Sequence, residues 1–195
     1  MRILLHICCA PCALMPVEIL TAEGHQLMGL FYNPNIHPWQ ENQRRLDCLR
    51  DWAGQCGLKL VVHDDYDPEA WFQRVAYREA MRCELCHHDR MTRAAQVARR
   101  GGFDGFTSTL LYSVRQKHQS VAEAGRAAAA RYGVEFVYRD FRPYWKQGVA
   151  RSLELGLYRQ PYCGCLYSER DRFLGPNGRG QSKRQANVPD APGAK

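Results

Sequence analysis

Short apolar runs alternate with longer amphipathic stretches along almost the whole chain, and that alternation limits the fold more than any other feature. Ile3 to Ile7, interrupted by His6, reads as a buried strand. A Pro-rich turn at Ala10-Pro11-Cys12 follows, then a helix from about Pro16 to Glu23 stopped by Gly24. Gln26 to Tyr32 and Leu58 to Val62 read as further strands, separated by a helix over Trp39–Cys56 with Leu49, Trp52, Ala53 and Cys56 on one face. Helices are expected near Pro68, over Cys86–Arg100, over Gln116–Tyr132 and, as the last one, over Tyr144–Leu155. Phe103–Leu111 and Val134–Tyr138 supply the remaining strands. Such alternation predicts an α/β domain, a parallel sheet covered by helices on both faces. From Gly175 the composition turns to Gly, Pro, Asn, Ser and charge, so residues 1–174 read as one domain and 175–195 as a disordered tail.

In an open parallel sheet, ligands sit beyond the carboxyl ends of the strands. Cys8-Cys9-x-x-Cys12 lies directly after the first strand, where this rule places a site. Nine cysteines fall along the chain, seven of them in three clusters: Cys8/Cys9/Cys12, Cys83/Cys86 and Cys163/Cys165. The opening residues make a poor export signal, because His6, the cysteines and Pro11 interrupt the apolar stretch and no cleavage site follows. No apolar run approaches the roughly 20 residues of a membrane span. A cytoplasmic setting is expected, and there clustered cysteines point to metal or redox chemistry rather than to structural disulfides.

Spacing alone leaves iron–sulfur, zinc and thiol–disulfide chemistry open. Structural zinc prefers four ligands in paired knuckles. Adjacent Cys8-Cys9 and the surplus of thiols fit better with an iron–sulfur cluster, whose four thiolates can come from separate segments. Cys163-Gly164-Cys165 could cycle as a dithiol or clamp a metal. Cys48 and Cys56 read as packing residues, and His87 and His88 as solvated helix positions rather than ligands. Tyr32, Asn33 and Asn35, in a turn at another strand end, suit recognition of an unstacked base. Ser108 and Thr109 hold the equivalent place on a later strand and could bind phosphate or polar substrate groups. A net charge of +7 favours an anionic partner, nucleic acid first, although +3 of it falls in the tail.

Five segments in order resemble the QueH-type epoxyqueuosine reductases: His6-Ile-Cys-Cys-Ala-Pro-Cys12, Tyr32-Asn-Pro-Asn-Ile-His-Pro38 with Glu41 and Arg45, Arg82-Cys-Glu-Leu-Cys86 with Arg90, Ser108-Thr-Leu-Leu-Tyr-Ser113 with His118, and Tyr162-Cys-Gly-Cys165 with Ser168. The resemblance implies a nucleotide-hydrolase-like, Rossmann-like fold and a cobalamin-independent reduction of epoxyqueuosine to queuosine at the wobble position of tRNA, the final step of queuosine biosynthesis. It further implies a 4Fe–4S cluster on Cys8, Cys9, Cys83 and Cys86, with Cys163 and Cys165 as a redox pair or as holders of a second, mononuclear iron that Cys12 could join. An electron donor must then exist, which the sequence does not identify. Asn42 stands where a tyrosine is common in that family, and Val114-Arg115 where Pro-Tyr is common. Tyr162, Tyr32 and His6 are the candidate proton donors.

Two other readings compete. An iron–sulfur tRNA-thiolating enzyme of the PP-loop type would need a glycine-lined phosphate loop after the first strand, and Cys-Cys-Ala-Pro-Cys stands there instead. A zinc-stabilised RNA-binding module would hold zinc and no iron.

Overall fold

The computed structural model describes residues 1–175, so nearly all of the expected tail lies outside the described residues. Five strands, β1 (Arg2–Ile7), β2 (Gln26–Tyr32), β3 (Leu60–His63), β4 (Gly105–Ser108) and β5 (Glu135–Phe136), form one sheet in the order β3-β2-β1-β4-β5. Every pairing is parallel, and β1 lies central with Leu4 beside Met28 on one side and Phe106 on the other. The chain runs outward from β1 in one direction and then restarts on its other side at β4. The carboxyl ends of β1 and β4 therefore flank the crevice where this topology places ligands.

Seven α-helices cover the sheet: α1 (Ala10–Ala22), α2 (Trp39–Cys56), α3 (Pro68–Val75), α4 (Arg82–Arg100), α5 (His118–Tyr132), α6 (Trp145–Glu154) and α7 (Leu166–Phe173). The period-2 geometry of β1 divides its side chains between two cores. Leu4 packs with Phe106 against Met91 and Ala95 of α4 and Val121 of α5. Leu5 and Ile7 pack with Phe31 against Leu46, Leu49 and Trp52 of α2. Among the described residues, no helix is long and apolar enough to cross a membrane.

Several boundaries differ from expectation, each for a physical reason. Ala10-Pro11-Cys12 is the first turn of α1 rather than a loop, because a proline there gives up only an N–H that has no helical partner anyway. Pro16 then falls inside α1, where it cannot donate to the Cys12 carbonyl one turn back. Helix α4 begins at Arg82, so Cys83 and Cys86 fall within its first five residues, three apart and on one face. The apolar run Phe103–Leu111 is strand only over Gly105–Ser108, after which Thr109–Leu111 coils into a 3-10 turn. Helix α7 was not expected, since Leu-Tyr-Ser-Glu-Arg-Asp-Arg-Phe carries no apolar stripe.

Candidate active site

Cys8 and Cys9 follow β1 directly, with Cys9 at the N-cap of α1, and Cys12 is one turn further on. The sulfurs of these three residues lie within 4.8 Å of one another, and all three residues are buried. Cys8 and Cys9 Sγ are 3.8 Å apart. The Thr109 hydroxyl donates to Cys8 Sγ at 3.4 Å and accepts from the Cys8 backbone N–H at 3.2 Å. Hydrogen bonds from the Cys12 and Cys9 thiols hold Cys8 well below the ordinary thiol range, despite burial. Burial pushes the Cys9 thiol up, and the bond to Cys8 does the same for Cys12. The trio gathers three buried sulfurs, a donor set that could hold a thiophilic metal ion.

The second group comes from the start of α4 and from the loop before α7. Burial pushes the Cys86 thiol up to about 12, against the opposing Arg90 charge. Burial likewise raises Cys83, to which nearby Cys163 and Cys165 add. Cys165 is buried beside Trp71 and Val75 of α3, whereas Cys163 is exposed. Gly164 between them has no room for a side chain to spare: a Cβ there would stand 3.0 Å from Ile36 Cγ1 and 3.4 Å from Arg45 Nη1. Its carbonyl accepts from His37 N at 2.8 Å, and its N–H donates to Ser168 Oγ at 3.0 Å.

Two buried arginines tie these segments together. Arg90, on α4, donates to Asn33 Oδ1 at 2.7 Å and Asn35 Oδ1 at 2.8 Å. Asn33 Nδ2 in turn reaches the Ile7 carbonyl at 2.9 Å, and Asn35 Nδ2 reaches Cys86 Sγ at 3.1 Å. Arg90 is buried, and its neighbours Cys86, Cys8, Cys163 and Asp89 counter the cost of burying the cation. Arg45, on α2, pairs with Glu41 at 2.7 Å and donates to the carbonyls of Cys163 at 2.7 Å and Tyr162 at 3.1 Å. The Tyr162 hydroxyl closes the same loop onto the His37 carbonyl. Gln160 Nε2 completes the enclosure, donating to Cys9 Sγ at 3.0 Å.

Asn33 and Asn35, expected to face substrate, are buried and hold Arg90 and Cys86. Tyr32 is also largely buried, its hydroxyl donating to Asp89 at 3.2 Å. Ser108 and Thr109 are fully buried, their hydroxyls engaged with His6 and Cys8. His6 has both ring nitrogens occupied. Nε2 lies 3.1 Å from the Tyr32 carbonyl and must carry the proton, so Nδ1 accepts from Ser108 Oγ at 2.8 Å. Burial, aided by the nearby Arg90 charge, lowers its pKa to about 4. His6 is therefore buried and bonded on both sides at the carboxyl end of the central strand β1. Cys48 is half-buried against the α2 core as expected, whereas Cys56 is exposed at the helix end.

A cleft of about 620 Å³ opens over this assembly, with Cys8, Cys12 and Cys163 among its walls. Arg115, Arg159 and Arg172 also line it and are exposed. None of these three takes part in an ion pair among the described residues. Sequence reading did not single out Gln160, Gln116 or Tyr158, which carry no spacing signal. The Glu41/Arg45 pair had one, an i,i+4 placement of opposite charges on a helix.

Comparison with known proteins bears on this geometry. The family model described as "Epoxyqueuosine reductase QueH" matches residues 3–171. A protein named epoxyqueuosine reductase QueH from Dehalococcoides mccartyi is 36% identical over 176 residues, covering 90% of this chain and 97% of its own. The one from Thermotoga maritima is 35% identical over 182 residues, 87% of this chain and 91% of its own. That of Acinetobacter baylyi is 34% identical over 196 residues, 96% and 89% respectively. With the match running from β1 into α7, and so through all three cysteine segments, the chain belongs to the QueH family of epoxyqueuosine reductases.

Proposed function

We propose that the protein is the reductase its family name describes, converting epoxyqueuosine in tRNA to queuosine, the last step of queuosine biosynthesis, in the cytoplasm. The observation that carries this reading is the family match across all three cysteine segments, two of which supply Cys8, Cys12 and Cys163 to one cleft. Removing the epoxide oxygen to leave an alkene takes two electrons and two protons and releases water. Two thiols supply both as they become a disulfide, so the Cys163–Cys165 pair balances the reaction, with an external electron donor restoring the dithiol. Cys163 is the exposed member on the cleft wall, and Cys165 is the packed one. Cys12 lies on the same wall and is the third cysteine of this catalytic set.

The donor chemistry fits a thiophilic cofactor, since three buried sulfurs lie within 4.8 Å of one another and Arg90 is tied through Asn35 to Cys86. Cys8, Cys9, Cys83 and Cys86 would hold a 4Fe–4S cluster. When bound, that cluster supplies electrons singly, and a second mononuclear iron beside it would act as a Lewis acid on the epoxide oxygen. Tyr32, Asn33, Asn35, Ser108 and Thr109 would support substrate binding from behind the cleft, by holding Asp89, Arg90, Cys86, His6 and Cys8 in place. Arg115, Arg159 and Arg172 suit the phosphates on either side of the modified nucleotide. Neither a thiolating enzyme nor a zinc module is favoured by the family match.

The test is anaerobic reconstitution with iron and sulfide, followed by metal and sulfide analysis and incubation of the reduced protein with tRNA bearing epoxyqueuosine. Bound iron and sulfide with formation of queuosine are expected. Colourless protein that retains only zinc and leaves the epoxide intact refutes the reading.

A further inference from the structure

His87 directly follows Cys86 and was expected to be a solvated helix residue. It is instead 1% exposed, and both of its ring nitrogens are bonded. Nε2 lies 3.0 Å from Gln116 Oε1, and Nδ1 lies 2.8 Å from Ser120 Oγ on α5. An amide oxygen can only accept, so Nε2 carries the proton and Nδ1 accepts from the Ser120 hydroxyl. That tautomer fixes the Gln116 amide with its oxygen turned inward and its nitrogen turned outward. The outward nitrogen, Nε2, donates to Cys163 Sγ at 3.1 Å. No comparable side-chain donor reaches Cys165 Sγ among the described residues.

We propose that Gln116 is a positioning residue that sets the cleft-facing sulfur of Cys163, and that His87, backed by Ser120, holds its amide in the donating orientation. The proposal deepens the reductase reading and rests on Cys163 and Cys165 acting as a redox pair. Burial pushes the Cys163 thiol up and the Gln116 N–H opposes that rise, so the donor favours the thiolate and with it the reduced form. The relay therefore makes the pair easier to reduce and distinguishes its two members. Cys163 is the sulfur presented to the cleft, and Cys165 is the partner packed behind it. Without the His87 contact, the Gln116 amide is free to turn its oxygen, an acceptor, toward the sulfur. A swapped amide would oppose the reduced state instead of supporting it.

The experiment equilibrates reconstituted holoprotein in anaerobic dithiothreitol redox buffers and reads the oxidation state of Cys163 and Cys165 by peptide-resolved alkylation. Gln116→Leu is expected to shift the dithiol–disulfide equilibrium roughly tenfold toward the disulfide, about 30 mV for a two-electron couple. In the same variant kcat falls by a larger factor than KM for the modified tRNA rises, although Gln116 lines the same cleft as Arg115. His87→Leu is expected to move the equilibrium in the same direction. His87→Gln retains a donor to Gln116 and restores it. Gln116 is half-exposed in the loop before α5, so its variants test the idea even where the buried His87→Leu fails to fold. An equilibrium within twofold of the parent in Gln116→Leu overturns the proposal. A shift in Gln116→Leu that His87→Leu, folded, does not share removes His87 from it. A parent protein whose Cys163–Cys165 pair never becomes oxidised refutes the redox pair itself, a failure that belongs to the reductase reading and is separable from the other two.

Discussion

Replacing Arg45 by Met is expected to destabilise the protein by about 3–5 kcal/mol, the cost typical of breaking a buried ion pair from one side. The Arg45 side chain is 0% exposed and that of Glu41 7%. Loss of the guanidinium leaves the Glu41 carboxylate buried with one partner, the Tyr158 hydroxyl at 2.5 Å. It also strips two carbonyls, those of Tyr162 and Cys163, of their charged donor. For a domain of this size each kcal/mol moves the melting midpoint by about 2–4 °C, so the drop amounts to roughly 6–20 °C. The double variant Glu41→Leu with Arg45→Met removes both charges and recovers a large part of that loss, because an apolar pair of similar volume is often neutral or better. It does not restore the two bonds to the loop that carries Cys163. Stability and loop position therefore separate. Urea titrations read the first, and limited proteolysis at the 158–165 loop reads the second. A single variant that costs under about 1 kcal/mol, or a double variant as unstable as the single, would refute the account of Arg45 as a charge held by Glu41 and used by the loop.

His37 has no hydrogen-bond partner on either ring nitrogen among the described residues, and burial lowers its pKa from 6.5 to about 4. Its neutral form favours the fold, so that contribution is complete above pH 6.5 and is lost as pH falls toward 4. Urea unfolding should find His37→Phe, which keeps the stack on Phe72, less acid-sensitive than the parent by up to about 2 kcal/mol at pH 5. Arg159→Ala should weaken tRNA binding and flatten the slope of log affinity against log salt by roughly one, measured by filter binding at several salt concentrations. An unchanged slope would take Arg159 out of the phosphate contacts. Cys83→Ala should abolish the visible chromophore of the reconstituted protein, whereas Cys163→Ala should keep it and lose turnover, as absorbance and product analysis would show.

Much of the fold could be read before any coordinates because its signals are local. Trp39–Cys56 has a regular apolar face and a following glycine in the left-handed region, and its predicted bounds match the observed helix. Helix α7 and the early start of α1 were missed because each is fixed by tertiary contact. The first is a charged segment whose Arg82–Asp171 bridge at 2.5 Å ties it to α4, and the second is a proline-bearing turn shaped by the buried cysteines. The site was legible as a list of cysteines but not as a structure. Asn33 and Asn35 have the chemistry of base recognition, and only the distances show that they are bonded to Arg90 and Cys86. Gln116 and Gln160 lie in unpatterned loops, where sequence spacing carries no information about a sulfur 47 or 151 residues away.

The hold of Arg45 and Gln160 on opposite parts of the molecule has a consequence for how the protein is made. The sheet closes once β5 is synthesised, yet Gln160, Cys163 and Cys165 leave the ribosome later and then reach back to α1, α2 and α4. A nascent chain can thus be folded and still lack one wall of its centre. Metal loading ahead of that last segment would meet Cys8, Cys9 and Cys12 without the Gln160 contact that covers them. Completion of the site therefore depends on the stretch after β5, which supplies Gln160, Cys163 and Cys165.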